Sequence, residues 1–387
     1  MVKRIVPIFL PNRGCPHRCL FCNEKITAGD HPDRISRRHI AEAVECYLGK
    51  SLHTQRDLIR NSHPERTEPS AFDRNTIIDS CGVSGDGRSN AEVEAERQIA
   101  FYGGNFTGIE YAYQRELLNS AQELIESGVI DSIRISTRPD YIDEKTVGLL
   151  QKYTVRTVEI GGQSMVDSVL ARCGRGHTAA DTVRAIELLK SRGFNTGIHL
   201  MAGLPGDDRH GFDYTIDRVI ALKPDTVRIH PTIVFANTGL ADLYHAGDYI
   251  PLDLETAVDY CCHALTRFRQ AGIDVIRMGL QTTAQMEEPG AIVAGPFHPA
   301  FRSLVEGLIF LKKAESMLEL LDGKRSDSFE FRVSDRDLSD FRGINNRNMN
   351  HLKERFGENI SVRPDPSLIR GEIALESGDR RIVNKRN

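Results

Sequence analysis

What the 387-residue chain lacks narrows its class first. No apolar run approaches the roughly 20 residues that cross a bilayer. The opening stretch MVKRIVPIFLPNRG is too short and too broken by proline for a secretory signal. The expectation is therefore a cytoplasmic protein with no membrane partner. A strong charge of either sign is missing too: 50 Lys and Arg against 54 Asp and Glu leave a formal net charge of -4. That balance argues against coating nucleic acid through bulk charge and leaves room for a local basic patch. Internal repeats are absent apart from a β-α unit. A disulfide framework is not expected either, because thiols stay reduced in the cytoplasm and clustered cysteines there are better read as metal ligands or catalytic groups.

What is present is a rhythm. Short β-branched runs alternate with longer amphipathic segments: IVPIFL (5–10), QIAFYGG (98–104), SIRIST (132–137), VRTVEIG (155–161), FNTGIHLM (194–201) and DTVRIHP (225–231), with helical patterns such as YQRELLNSAQELIES and AADTVRAIELLKSRG between them. Six such repeats imply a parallel sheet. Polar residues collect near the C-terminal ends of the strands, where barrels and open α/β sheets place their sites. The expected fold is α/β, a partial (β/α)6 TIM-type barrel, with a doubly wound sheet as the topology that periodicity alone does not separate from it. Residues 50–96, polar and poor in aromatics, read as a mobile insertion within a core spanning residues 1–300. Residues 301–387 turn to short strands around one helix, NNRNMNHLKERFG, and read as a small C-terminal α+β module.

Three of the eight cysteines crowd into NRGCPHRCLFCNEK, where Cys15, Cys19 and Cys22 are spaced C-x3-C-x2-C. Three thiolates suit a soft metal, either zinc or an iron–sulfur cluster. Closed zinc sites usually take four ligands, and no second cysteine knuckle follows; His17 would have to double back to serve as the fourth. A [4Fe–4S] cube with three cysteines keeps one iron open to a ligand that is not protein. The scattered cysteines read as packing: Cys46 as core on an apolar helix face, Cys173 as buried and inert, and Cys261 and Cys262 as core plus one flank position.

This loop, placed directly after a first strand with aromatic Phe21 before the third cysteine, resembles the radical S-adenosylmethionine (SAM) superfamily. The ordered set GCPHRCLFCN, YGGNFTG, RISTRPDYI, VEIGGQS, RGHT, GLPG and GPFHPAF is similar to the branch containing the radical-SAM domain of the Elongator catalytic subunit, over roughly residues 5 to 300. The resemblance implies a [4Fe–4S] cluster on Cys15, Cys19 and Cys22 and SAM on its open iron. It further implies a SAM site built from Phe21, Gly103, Gly104, Asn105, Gln163, Arg175 and His199. Paired glycines admit a ligand close to backbone, an amide side chain can bridge vicinal hydroxyls, and a planar guanidinium suits a carboxylate. His199 reads equally as polar wall, proton relay or satisfied core histidine.

The implied activity is reductive cleavage of SAM to a 5′-deoxyadenosyl radical, with a flavodoxin- or ferredoxin-type electron donor and RNA, tRNA in particular, as a candidate substrate. Residues 301–387 are too few for the acetyltransferase domain of Elongator-type proteins, so acyl transfer is not carried over. Ser136 stands where that branch usually has glutamate, which puts one SAM contact in doubt. In the tail, Arg336, Arg342, Arg347 and Lys353 are candidates for phosphate contacts; the plainer reading is a solvated cap. Two alternatives stay open: a coproporphyrinogen oxidase-like or haem-related radical SAM protein, and a non-catalytic zinc-binding adaptor.

Overall fold

The computed structural model describes residues 3–10, 13–15, 19–29, 32, 34–48, 95–320, 328–378 and 380–384. The expected insertion at 50–96 thus lies almost wholly outside the described residues.

Seven parallel strands form the main sheet: β1 (Lys3–Phe9), β2 (Glu96–Tyr102), β3 (Ser132–Thr137), β4 (Val155–Gln163), β5 (Asn195–Ala202), β6 (Thr226–Pro231) and, after a short β7 (Val234–Phe235), β8 (Asp274–Met278). Their spatial order is β1-β2-β3-β4-β5-β6-β8. Each strand lies beside its predecessor, with no reversal of order along the sheet. A doubly wound sheet reverses at a switch point, so this is the partial-barrel topology, extended by a seventh strand. The pair β7 and β9 (Ile292–Ala294) forms a separate two-stranded ribbon.

Strand periodicity of two assigns each residue to a face. One face carries Ile99, Phe101, Ile133, Ile135, Val158 and Ile160, all fully or almost fully buried. Helices cover the sheet, Arg37–Leu48 packing on β1 and Ala179–Ser191 on β4. Ala179–Ser191 starts at a capping box in which Thr178 and Asp181 satisfy each other's backbone amides. The opposite face is polar near the strand starts. Arg134 on β3 pairs with Glu159 on β4 and donates to the Gln98 side chain on β2 (3.2 Å), and Gln98 donates to Ser132 (2.8 Å). A buried ion pair survives only when its remaining donors and acceptors are met. Here Gln98 on β2 accepts from Arg134 Nε.

The chain divides into two compact units. The first comprises Met1–Leu200, Val234–Tyr249 and Gln281–Val293; the second comprises Met201–Ile233, Ile250–Leu280 and Ala294–Asn387. In the second unit, helix Leu254–Gln270 packs on β6 and β8 and starts at Asp253, whose carboxylate accepts from Thr256 N. The C-terminal residues build a mixed sheet of β10 (Phe329–Val333), β11 (Ile360–Pro364), β12 (Ile373–Ser377) and β13 (Arg380–Asn384), in the order β11-β10-β12-β13. Strands β10 and β11 are parallel, and the other pairs are antiparallel. Two helices accompany this sheet, Leu338–Arg342 and Arg347–Phe356, where the sequence pattern shows one. Phe310, Phe331, Phe341 and Leu352 fill its core.

Candidate functional site

The cysteine loop leaves the C-terminal end of β1 and is pinned on several sides. Leu20 N donates to the Cys173 carbonyl (3.1 Å), and the Leu20 carbonyl accepts from Leu240 N (2.8 Å). Cys22 N closes a turn onto Cys19 O (3.1 Å). Asn23 then caps helix Glu24–Ala28 by accepting from Ile26 N, while its own amide reaches the Ala236 carbonyl (2.8 Å). Thr283 donates to the Ile26 carbonyl (2.6 Å). Segments 234–249 and 281–293, remote in sequence, thus return to grip the loop.

Gly103 and Gly104 follow β2 with φ of +77° and +59°. A Cβ on Gly104 would stand 2.8 Å from Arg13 N and nearer still to the Arg13 carbonyl oxygen. The glycine is therefore needed first so that the β2 turn can touch the cysteine loop. Gly104 N donates to Glu24 Oε1 (2.6 Å). Asn105, wholly buried, stitches the two turns together. Its backbone N donates to Arg13 O (2.8 Å) and its side-chain amide to Gly14 O (2.9 Å), while its side-chain oxygen accepts from the Thr137 hydroxyl (2.5 Å) and Arg138 N (3.2 Å). Every polar group of Asn105 named here is already committed to protein.

At the end of β4 the register with β5 shifts between Ile160 and Gln163, and Gln163 takes a φ of +65°. A bulge and a left-handed non-glycine residue together re-aim a side chain at a strand end. The Gln163 side chain is 7% exposed, and its Oε1 has no hydrogen-bond partner among the described residues. Beside it Arg175, 6% exposed, donates through Nη1 to Cys19 Sγ (3.2 Å) and through Nη2 to Gly161 O (2.7 Å), leaving Nε without a partner. Arg138, also buried, grips Asp140 through two bonds (3.0 and 2.9 Å) and donates to the Arg175 carbonyl (2.6 Å); its Nη1 is unpartnered. Burial alone would lower the Arg138 pKa. The hydrogen bond and charge of Asp140, then the charges of Cys15 and Cys19, raise it instead.

The Cys22 thiol carries the reverse burden. Cys19 is buried and Cys15 half-buried; Cys22 opens to solvent at its surface, yet enough protein surrounds its sulfur to desolvate it. Burial first, then Glu24, Cys19 and Cys15, push the Cys22 thiol up to about 12, against a lesser pull from Arg175. A thiol so disposed becomes a thiolate ligand when a metal brings its own positive charge. The donor set and the unpartnered atoms beside it fit a cluster with a polar co-ligand. Among the described residues no three His, Cys, Asp or Glu side chains form a group that could hold a single metal ion, and His17 lies outside those residues.

Residues that the sequence pattern did not single out complete the wall. His177 is buried, its Nε2 3.3 Å from Gly162 O and its Nδ1 unpartnered; burial, then Arg175 and Arg138, push it down to about 4. Arg138 lies inside the quoted RISTRPDYI motif, and its value as a buried cation shows only once Arg175 is beside it. Phe21 is half-buried between Leu20 and Cys22, and His199 is half-buried on β5. Ser136 lies in register with Glu159 on β4.

Cys46, expected in the core, is exposed: Ile40 and Val44 form the buried stripe of its helix, and two residues on from Val44 the helix has turned to the other side. Cys173, Cys261 and Cys262 are all buried. The tail candidates belong to the second unit. Arg336 and Arg342 are exposed, Arg347 pairs with Glu255 (2.6 Å) and Lys353 with Glu358 (4.0 Å).

Comparison with known proteins bears on the same strands. The sequence profile of the radical SAM superfamily matches residues 90–219, and that of the radical SAM C-terminal domain matches residues 224–309. The chain belongs to the radical SAM superfamily. As a radical SAM protein it is 27% identical over 283 residues to the tRNA uridine(34) acetyltransferase of Methanocaldococcus jannaschii, an alignment covering 67% of this chain and 48% of the relative. It is also 34% identical over 131 residues to mouse (Mus musculus) Elongator complex protein 3, covering 32% of this chain and 23% of that protein. The chain thus spans about half the length of the archaeal relative. Among solved structures, the archaeal Elp3 of Methanocaldococcus infernus superposes with a TM-score of 0.53 at 20% identity, over 81% of this chain and 64% of the other, a likeness of fold. No described helix of this radical SAM protein is long and apolar enough to cross a membrane.

Proposed function

We propose that the chain is a radical SAM enzyme that takes a [4Fe–4S] cluster on Cys15, Cys19 and Cys22, binds SAM at the C-terminal ends of β2 and β4, and acts on RNA, tRNA in particular. The observation that carries the reading is the juxtaposition of a buried Arg175 on Cys19 with the unpartnered Gln163 Oε1 beside it. Unsatisfied buried polar atoms are rare unless something else fills the place. When bound, the cluster supplies one electron that cleaves the sulfonium of SAM to methionine and a 5′-deoxyadenosyl radical.

The chain's own residues hold and orient. Asn105 ties the cysteine loop to the ends of β2 and β3. Gly103 and Gly104 give the β2 turn a close backbone approach. Gln163 offers an acceptor to a hydroxyl, and Arg138 and Arg175 add positive charge against the thiolates. Phe21 and His199 would supply apolar and polar wall. A flavodoxin- or ferredoxin-type protein would deliver the electron. The RNA substrate rests on the relatives' names. Acetyl transfer is not carried over, since the alignment covers 48% of the archaeal acetyltransferase.

The test is anaerobic reconstitution with iron and sulfide, then low-temperature EPR of the dithionite-reduced protein with and without SAM. We expect a [4Fe–4S]⁺ signal that changes on SAM addition, and loss of both cluster and SAM cleavage in Cys19→Ala. A cluster indifferent to SAM, or full SAM cleavage by Cys19→Ala, would overturn the assignment.

A further inference from the structure

The Arg175 guanidinium presents two amino groups and one Nε. Both amino groups are engaged: Nη1 donates to Cys19 Sγ at 3.2 Å and Nη2 to Gly161 O at 2.7 Å. Each amino group has spent one of its two N–H bonds, so Arg175 keeps three of its five donors while one of them is fixed on the Cys19 sulfur. Its position is also fixed from behind. Arg175 N donates to Leu170 O (3.0 Å), its carbonyl accepts from Arg138 Nη2 (2.6 Å), and the flanking Gly174 and Gly176 have φ of +66° and +68°. Arg138, 2% exposed and locked onto Asp140, brings a second buried cation against Arg175.

Resting on the reading that the three cysteines hold an iron–sulfur cluster, we infer that Arg175 is a positioning residue that acts through Cys19 to set the cluster's reduction potential, with Arg138 as its brace. Reduction adds one electron and no proton, so the reduced cluster is the more negative state. A hydrogen bond and a full positive charge on one ligand sulfur favour that state, and hydrogen bonds to sulfur, net charge and solvent exposure are what set such potentials. The surroundings are buried, so the charge is weakly screened. The field of two guanidiniums then makes the cluster easier to reduce than three bare thiolates would.

The experiment is a potentiometric titration of the anaerobically reconstituted 387-residue protein, with dithionite as titrant and the EPR signal as readout. Wild type is compared with Arg175→Met, Arg175→Lys and Arg138→Gln, and iron and sulfide content and SAM affinity are measured on the same samples. We expect Arg175→Met to move the midpoint to a more negative potential, and Arg175→Lys and Arg138→Gln to move it less in the same direction, whatever happens to SAM affinity on the same samples. An unchanged midpoint in Arg175→Met, with SAM affinity down tenfold or more, would overturn the inference and give Arg175 to SAM. If Arg175→Met fails to take up iron, the other two variants decide: midpoints equal to wild type in both overturn it. A wild type that binds no cluster overturns the functional reading itself, whereas a SAM-responsive cluster with unshifted variants overturns only this inference.

Discussion

The turns at the ends of β1 to β4 and the C-terminal module handle buried polarity in opposite ways. In the module no buried side-chain nitrogen or oxygen among the described residues lacks a partner. Asn348, for example, spends its amide on the carbonyls of Gly307, Asp340 and Phe341, and Asp337 accepts from Gly371 N. Around the cysteine loop, Arg138, Gln163, Arg175 and His177 each keep a buried atom unpartnered. Both regions are packed, so poor packing does not explain the difference. A polar atom buried without a partner costs stability, and a fold tolerates several together where a ligand is to complete them. Thr157, Thr182 and Asp207 also keep a buried side-chain atom unpartnered, so the contrast sets the module apart from the β/α core as a whole, with the cysteine loop as the place where four such residues meet.

The largest effect should come from the close backbone approach that holds the two turns together. Gly104→Ala forces a side chain into positive φ and against Arg13, and should cost about 3 kcal/mol or more along with cluster uptake. Gly128→Ala is the control: its φ is +70°, but nothing lies within 4 Å of the added carbon. It should cost only the conformational strain, about 1 kcal/mol. Urea unfolding of both variants would show whether backbone approach or φ alone is at stake. Equal losses would remove the special place of Gly104.

Next is the pH response. His177 lies beside Gly162 and in the field of Arg175 and Arg138, and its folded pKa lies below the unfolded one. Its contribution is therefore fully present above about 6.5 and is lost as pH falls toward about 4, where the folded ring takes its proton. Each tenfold weakening of proton affinity is worth about 1.4 kcal/mol, so the loss across that window is roughly 3 kcal/mol. His177→Gln should flatten stability over the same range. A wild-type curve equally steep with and without His177 would assign the acid loss to other groups. In the module, Asn348→Ala should cost about 2 kcal/mol by stranding carbonyls and leave cluster content unchanged. A fall in cluster content would break the comparison.

How much of this the sequence disclosed depends on the range of each interaction. Strand β3 appears where SIRIST predicts it, and the other strands fall within two residues of their apolar runs, because alternation with amphipathic helices is a local signal. The cysteine spacing and the Gly-Gly turn were legible for the same reason. Asn105 was legible as a member of that turn, but its commitment to Gly14, Thr137 and Arg138 depends on contacts from two other turns. The grip of Ala236 and Thr283 on residues 23 and 26 spans 213 and 257 positions, and no periodicity encodes it. Arg138 and Arg175 each read as an ordinary arginine until the sheet places them together. Cys46 was misread because one apolar residue does not define a helix face; the packing of Ile40 and Val44 does.

The smallest stability effect is expected where charge is already balanced by an exposed partner. Arg347 and Glu255 pair at 2.6 Å with side chains 73% and 77% exposed, so water screens the pair. Arg347→Gln should change stability by no more than about 0.5 kcal/mol. That near-neutrality makes it a clean probe of the proposed RNA contact, because any larger loss would have to arise in binding. If Arg347 meets a phosphate, the variant should weaken tRNA binding about uniformly across sequences and reduce the slope of log affinity against log salt by about one. An unchanged slope would return Arg347 to the surface pair with Glu255 and pass the same titration to Lys353 and to exposed Arg336 and Arg342, which form no ion pair among the described residues.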